Sequence, residues 1–384
     1  MSELNITIDG GTSKRLLTAG KFCDKNILVT ATGSSGGGGG AELPEEALVI
    51  TGNCSYRFAN SGWNWFIDEY GDKITTKDIN VANNMFHLCS KLEDIPFELN
   101  FSKIASYHDM SYIFGSCENL LSIPKFNDCK PNSMSYMFQN CLRLIELPED
   151  IGDWFDWSYT ENQTNMYVGS ANYLFQHCYS LRKIPMGFLK HKNPYATHSY
   201  AYFSGGFTYC ASLDELVGLP IPYEKATWTS NAFASTFTDC YRLKNAMFEL
   251  QEDGTPIVMR WKSQVIDLSS NVGYVTSYPN RITDYNSGIT SATKVTNDAT
   301  YQALKDNPDW WTQDTNYSRY NKQSAVNTIN TLPDTSAYLA SAGGTNTIKF
   351  RGAAGSKTDG GAINTLTAEQ IAVATAKGWT VTLV

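Results

Sequence analysis

The sequence predicts an α/β solenoid of stacked repeats, preceded by a small β-rich module at the N-terminus. Three observations indicate this fold class. A pattern close to M-F-x-x-C-x-x-L-x-x-I-P recurs through the middle of the chain, a Gly/Ser run separates that part from the N-terminus, and a helix pattern followed by a strand pattern ends it. A short unit that recurs in this way is typical of proteins in which each repeat packs on its neighbours.

The repeat has six recognisable copies, of which three are regular. The regular copies contain the letters "MFHLCSKLEDIP", "IFGSCENLLSIP" and "MFQNCLRLIELP", and three looser copies follow. Their cysteines are separated by 28, 24, 37, 32 and 30 residues, and are Cys89, Cys117, Cys141, Cys178, Cys210 and Cys240. Such steps match one coil of a solenoid with loops of variable length.

Spacing within a copy predicts its local structure. Phe and Cys are three residues apart, as on a helical or 3₁₀ turn, and Leu and Ile follow at further steps of three before a Pro. We expect a turn that carries Phe and Cys, then a short extended segment that carries Leu and Ile and ends at Pro. One copy is too small to bury these side chains, so the adjacent copies must cover them.

The cysteines are predicted to be packing residues. Six of the nine occupy the same position of the repeat, and a thiol behaves as a small, readily buried apolar group. No C-x-x-C pair of a zinc or dithiol site is present, and we expect neither a metal nor another cofactor. Cys23, Cys54 and Cys129 lie outside the repeat position, and the odd total argues against a complete disulfide framework.

The three regular copies resemble the leucine-rich repeats of the BspA-like type, which occur in bacterial surface proteins and in proteins carried by phages of gut bacteria. The resemblance covers about residues 80–245. It implies a leucine-rich-repeat solenoid with short parallel strands on one face and a role in adhesion or recognition. Beyond Leu243 no copy keeps Phe, Cys, Leu and Ile-Pro together, so regular repeats are not expected there.

Residues 1–32 form two segments of alternating apolar residues around a Gly-Gly turn. They resemble a small module at the front of tail-associated and minor structural phage proteins, which implies that they dock onto other virion proteins. Residues 33–40 are Gly and Ser alone and are typical of a flexible tether. A cloning linker is the alternative interpretation of this run.

Residues 41–384 are predicted to form the solenoid, with degenerate C-terminal repeats and a terminal cap made of a helix and a strand. Thr367 and Gln370 have the spacing of a capping box, Gly378 can end the helix, and residues 379–384 alternate as a strand. Residues 245–345 are rich in Gly, Asn, Ser and Thr, and periodicity fades there, so no elements are assigned.

Composition excludes several classes of partner. The net charge is −8, charged residues are 18% of the chain, and no Lys/Arg stripe is visible, so nucleic-acid binding is not expected. No run approaches the length of apolar residues that a membrane span needs, and membrane insertion is not expected. The first residues lack the pattern of a secretion signal, which favours a virion component over an exported adhesin.

No enzymatic activity is predicted, because the chain lacks the common phosphate-binding, nucleophile-elbow and zinc-protease motifs. His87 and His177 lie next to repeat cysteines, yet neighbouring residues usually point in different directions. The alternative is a polysaccharide depolymerase, since Asp153 and Asp156 could serve as a pair of catalytic carboxylates.

Aromatic residues of the loops between copies are the predicted ligand contacts, because aromatic faces stack on sugars and loops carry function disproportionately. The longest insertion contains the letters "EDIGDWFDWSY", and two more clusters lie further along. The predicted ligand-binding residues are Trp154, Phe155, Trp157, Tyr159, Tyr195, Tyr200, Tyr202, Trp310 and Trp311.

Together these features predict a binding protein of a phage virion that recognises a bacterial cell-surface glycan or protein. It would be a receptor-binding component of the tail or baseplate, or a fibre or decoration of the head, assembled in the host cytoplasm. A homotrimer or another cyclic oligomer fits such a role. The alternatives are an adhesin on the bacterial surface, the depolymerase, and a purely structural virion protein.

Overall fold

The computed structural model describes residues 48–60, 67, 71–103, 108–155, 171–185, 203–210, 212–219, 227–228, 231–240, 242–269, 320–352 and 361–384. The predicted docking module of residues 1–32 and the Gly/Ser tether of residues 33–40 lie outside these ranges. Within them the protein combines short parallel strands, series of turns and three α-helices.

The strands of the described residues pair with strands that lie later in the chain. Five two-stranded sheets are parallel: β1 (Val49–Asn53) with β2 (Thr75–Val81), β3 (Leu99–Asn100) with β5 (Phe126–Asn127), β4 (His108–Asp109) with β6 (Pro131–Ser133), β7 (Glu215–Leu219) with β9 (Asn245–Phe248), and β8 (Thr227–Trp228) with β10 (Arg260–Trp261). A parallel three-stranded sheet has the order β11 (Val265–Asp267), β12 (Asn346–Phe350), β13 (Trp379–Leu383). Parallel pairing requires a long connection between the two paired strands.

The segment around each repeat phenylalanine is a series of turns and not the helical turn expected from the spacing. Next to Phe86, the His87 amide donates to Asn84 within the same copy, and the Leu88 amide donates to Gly115 of the next copy. Asn84 and Leu88 have φ values of 58° and 65°, and both positions keep positive φ around every repeat phenylalanine. A helix would use every amide internally, whereas this backbone leaves alternate amides to bond the neighbouring copy.

The phenylalanines form a continuous column in the core. Successive ring centroids are 5.2 to 6.0 Å apart along Phe58, Phe86, Phe114, Phe138, Phe175, Phe207 and Phe237. Offset aromatic contacts in this range are favourable beyond the area they bury. Among the described residues the column begins at Phe58, which precedes the first copy that the repeat pattern identifies.

The repeat cysteines bond one copy to the one before it. Each thiol donates to the backbone carbonyl of the repeat phenylalanine in the preceding copy. Cys89 donates to Phe58 at 2.9 Å, and Cys141 donates to Phe114 at 3.2 Å. All eight described cysteines are buried thiols. The prediction that the repeat cysteines are packing residues is therefore confirmed, and the hydrogen bond explains why a thiol serves better than an alkyl group.

The C-terminal part lies against the last repeat. Helix α1 (Lys322–Thr331) packs on β9, where the Thr328 hydroxyl donates to the Ala246 carbonyl at 2.7 Å. Helix α2 (Ser336–Ala342) follows, and α3 (Ala368–Ala376) precedes β13. The capping box expected at Thr367 and Gln370 is present, and Gly378 adopts a positive φ directly after the helix. Short 3₁₀ turns comprise Gly71–Lys73, Ile151–Trp154 and Ile363–Thr365.

Candidate functional site: a charged groove beside the aromatic segment

The aromatic segment after the third regular copy is partly a core element. Phe155 is only 6% exposed, its ring lies 5.5 Å from Phe126, and its backbone pairs with Cys129 of the preceding coil. The ring faces the core, so the prediction that Phe155 contacts a ligand is wrong. Alternation of aromatic and acidic letters could not reveal which member of the segment the pairing would bury.

Trp154 keeps a partly exposed ring on the surface. It packs edge-on against Phe126, with ring centroids 6.0 Å apart, and its indole N–H donates to the Asp150 carboxylate at 3.0 Å. These contacts fix the ring in place while leaving part of it accessible. Seven other predicted contacts lie outside the described residues, namely Trp157, Tyr159, Tyr195, Tyr200, Tyr202, Trp310 and Trp311.

A groove of about 580 Å³ opens next to this segment, and we call it the charged groove. Its lining comprises Glu149, Arg182, Lys183, Ile184, Pro185, Asp214, Glu215, Val217 and Lys244. Glu149 immediately precedes Asp150, so the aromatic segment and the groove adjoin. Residues from four consecutive copies contribute to its wall, so the site exists only where these copies lie side by side.

The backbone ladder places these side chains in register. The Arg182 amide donates to Ile145, the Asp214 amide donates to Arg182, and the Lys244 amide donates to Asp214, at distances of 2.8, 3.3 and 2.7 Å. The adjacent repeat leucines Leu181, Leu213 and Leu243 are fully buried. Because the leucines point inward, the residues that follow them point outward into the groove.

Ion pairs of differing exposure involve the groove residues. Lys183 pairs with Glu149, and both side chains are more than half exposed, at 62% and 72%. Asp214 accepts from Lys244 at 3.4 Å and from Arg242 at 3.3 Å. The hydrogen bond to Glu149 raises the pKa of Lys183, which therefore stays protonated. An exposed pair such as Lys183–Glu149 contributes only about 0–1 kcal/mol, so a ligand can replace it at little cost.

Chemically, the groove is suited to holding a polar ligand. Cations and carboxylates alternate along its wall, and Val217 adds an apolar surface that is 51% exposed. Of the two candidate depolymerase acids, Asp153 lies exposed on the 3₁₀ turn and Asp156 lies outside the described residues. No group of His, Cys, Asp and Glu in the described ranges could hold a metal ion.

The described cysteines are poor nucleophiles. The Cys178 thiol is fully buried, donates to the Phe138 carbonyl, and has a pKa raised by that burial. Its sequence neighbour His177 places Nδ1 3.0 Å from the Tyr179 hydroxyl. A thiolate is the reactive form of cysteine, and burial in apolar surroundings suppresses it.

None of the helices in the described ranges has the length and apolar character that a membrane span requires.

Sequence reasoning missed the charged groove because its residues come from separate copies. A usable signal existed, since charged residues follow the repeat leucine in the copies that supply Lys183, Asp214 and Lys244.

No family model matches the chain, and no curated protein or solved structure matches it. The function is therefore inferred from residues and geometry.

Proposed function

We propose that the protein is a leucine-rich-repeat binding protein of a phage virion and that it recognises a bacterial surface ligand without cleaving it. The observation that carries the binding role is the charged groove, whose wall of four hydrogen-bonded copies holds the exposed Lys183 and the partly exposed Asp214 and Lys244. A surface with its polar groups already in place loses little conformational freedom on binding.

The proposal of a leucine-rich-repeat solenoid is supported by the contacts between copies. Parallel strand pairs, the phenylalanine column and the thiol-to-carbonyl bonds all recur from copy to copy. A stack of this kind presents matching positions of successive copies side by side, which is how repeat proteins build extended binding surfaces.

Assignment to a virion rests on the resemblance of residues 1–32 to phage docking modules. In this proposal the N-terminal module attaches the protein to the tail, the baseplate or the head, and the tether of residues 33–40 lets the repeat part reach the cell. Symmetric virion appendages make a trimer or another cyclic oligomer the expected assembly.

The test is a competition assay with the full chain. Purified protein is added to candidate host cells before phage, and both cell binding and loss of phage adsorption are scored. The variant Lys183→Ala/Lys244→Ala should bind at least tenfold more weakly, because hydrogen bonds from charged groups contribute about 1.5–3 kcal/mol each. Lys125→Ala, which removes an exposed lysine that does not line the groove, is the matched control.

Each alternative has its own outcome. Absence of cell binding by the unaltered protein would favour a structural virion role. Release of reducing sugar ends that is lost in Asp153→Asn would favour a depolymerase, and cell binding without any effect on phage adsorption would favour an adhesin. Undiminished binding by the double lysine variant would move the contact surface away from the groove.

A further inference from the structure

Three stacked tyrosines form a surface on a different part of each copy from the groove. Tyr112, Tyr136 and Tyr173 each lie two residues before a repeat phenylalanine. Their ring centroids are 4.4 and 4.9 Å apart, and the rings are nearly parallel, with interplanar angles of 5° and 17°. Beside them the side-chain amide of Gln139 donates from Nε2 to Oε1 of Gln176 at 2.6 Å. We call these five residues the tyrosine strip.

The turn itself does not require tyrosine at this position. All three tyrosines have φ between 55° and 60°, a left-handed conformation that bulky residues rarely adopt. Equivalent positions in other copies carry Tyr56, Asn84, Gly205 and Ser235, so the same turn also forms with glycine, asparagine and serine. Strained conformations that persist in a fold cluster at functional sites, so three consecutive tyrosines here point to a use on the surface.

Glycine at the end of the row makes room for the last ring. A Cβ at Gly205 would collide with the ring of Tyr173, which lies over this residue. All three tyrosines are half-buried, and their rings support one another in fixed positions. The Tyr112 and Tyr136 side chains also hydrogen-bond each other. Ring edges, the Tyr173 hydroxyl and the remaining hydrogen-bonding capacity of that hydroxyl pair, rather than the mutually covered faces, are what the row offers to a partner.

The positions that flank the strip within the turns carry no acidic residue, lysine or arginine. In the copies built on Phe86, Phe114, Phe138, Phe175 and Phe207, the positions two before, one after and two after the phenylalanine contain no Asp, Glu, Lys or Arg. Charged residues instead follow the repeat leucines and line the groove. A partner of the strip therefore gains nothing from carrying charge.

The available groups match a chain of neutral sugars. Phenol and amide groups both donate and accept hydrogen bonds, as sugar hydroxyls do. The spacing of 4.4–4.9 Å between rings is close to the length of one sugar unit in an extended chain. Rigid tyrosines give contact area at a small loss of conformational entropy.

We propose that the tyrosine strip is a second binding surface, separate from the charged groove, and that it takes an uncharged linear polysaccharide lying along the stack. The inference goes beyond the proposed function, because it needs neither a phage nor the groove. A failure of cell binding or phage adsorption would leave it standing, and its own failure would leave the groove proposal standing.

The test is affinity electrophoresis of the full chain through gels that contain dextran, mannan or galactan, with alginate and polygalacturonate as anionic counterparts. At least one uncharged polymer should retard the protein. Tyr136→Asn/Tyr173→Asn should raise the dissociation constant at least tenfold, because two hydroxyl hydrogen bonds and their ring contacts are lost. Asparagine is chosen because Asn84 occupies the equivalent position with φ 58°.

Two further variants keep the result interpretable. Tyr136→Phe/Tyr173→Phe preserves the stack and removes only the hydroxyls, so it should weaken binding severalfold even if the asparagine variant folds poorly. Lys183→Ala/Lys244→Ala should change the dissociation constant less than twofold. Urea unfolding of each variant checks that it is folded.

Three results would overturn the inference. The first is that no uncharged polymer retards the unaltered protein. The second is that the folded tyrosine variants are retarded as strongly as the unaltered chain. The third is that the groove variant loses retardation while the tyrosine variants keep it.

Discussion

The phenylalanine column predicts where the protein is most sensitive to substitution. Phe138 is fully buried near the middle of the column. Its ring centroid lies 5.6 Å from that of Phe114 and 5.3 Å from that of Phe175. Phe138→Ala removes the contact with both neighbouring copies, which no other part of the copy can replace because each repeat touches only its neighbours.

The expected loss in the free energy of unfolding is about 4–5 kcal/mol. Replacing a buried phenylalanine by alanine typically costs about 3–5 kcal/mol, including the cavity that remains. The upper part of that range applies because two stacked ring pairs are lost, each of about 0.5–1.5 kcal/mol beyond the area buried. Phe138→Leu keeps most of the apolar volume and should lose only the ring pairs, about 1–3 kcal/mol.

Urea unfolding of the full chain measures both losses. The slope of the free energy against urea concentration should stay unchanged if only stability is altered. Leu121→Ala is the matched control, because Leu121 is 42% exposed and its truncation should change stability by no more than about 0.5 kcal/mol. A loss below about 1 kcal/mol in Phe138→Ala, or equal losses in the alanine and leucine variants, would refute the reasoning.

Three other predictions concern the thiols, one histidine and one glycine. Burial raises the pKa of six described thiols, those of Cys117, Cys129, Cys141, Cys178, Cys210 and Cys240. In a Cys23→Ser chain the eight buried cysteines should therefore react with Ellman's reagent no faster than the protein unfolds, and rapid labelling of any of them would contradict this. Burial lowers the pKa of His108 to about 4. As the pH falls from 6.5 to 4, the unfolded chain therefore binds a proton at His108 before the folded chain does, and stability should fall by up to about 3 kcal/mol. Burial raises the pKa of Glu118 to about 7, so this group alone makes stability fall as pH rises from 4.5 to 7. Urea unfolding of the unaltered protein is therefore compared with that of His108→Asn across this pH range. Parallel curves of stability against pH would exclude a role of His108. Gly378→Ala should lower the melting temperature more than Gly254→Ala. Both glycines have φ near 80°, but only at Gly378 would a Cβ meet a neighbour, 2.7 Å from Thr335 Oγ1. Equal shifts in melting temperature would show that this steric contact relaxes.

The sequence by itself determined the inward-facing residues and the C-terminal helix boundary. The repeat positions of Phe, Cys and Leu are buried in every described copy, because only side chains that recur at matching positions can pack against one another along a stack. The capping box of Thr367 and Gln370 is a local interaction within four residues. Such features need no knowledge of distant contacts.

Only the tertiary structure decided how the copies bond and what their surfaces offer. Spacing by three suited a helical turn, yet the need to bond neighbouring copies selected positive φ at positions such as Asn84 and Leu88. Pairing with Cys129 buried Phe155, and the column took in Phe58, which lacks the rest of the repeat pattern. In the charged groove and the tyrosine strip, matching residues of neighbouring copies lie 24 to 37 positions apart in the chain. Their proximity follows from the register between copies, and register is set by packing and hydrogen bonding across the stack rather than by any local run of letters.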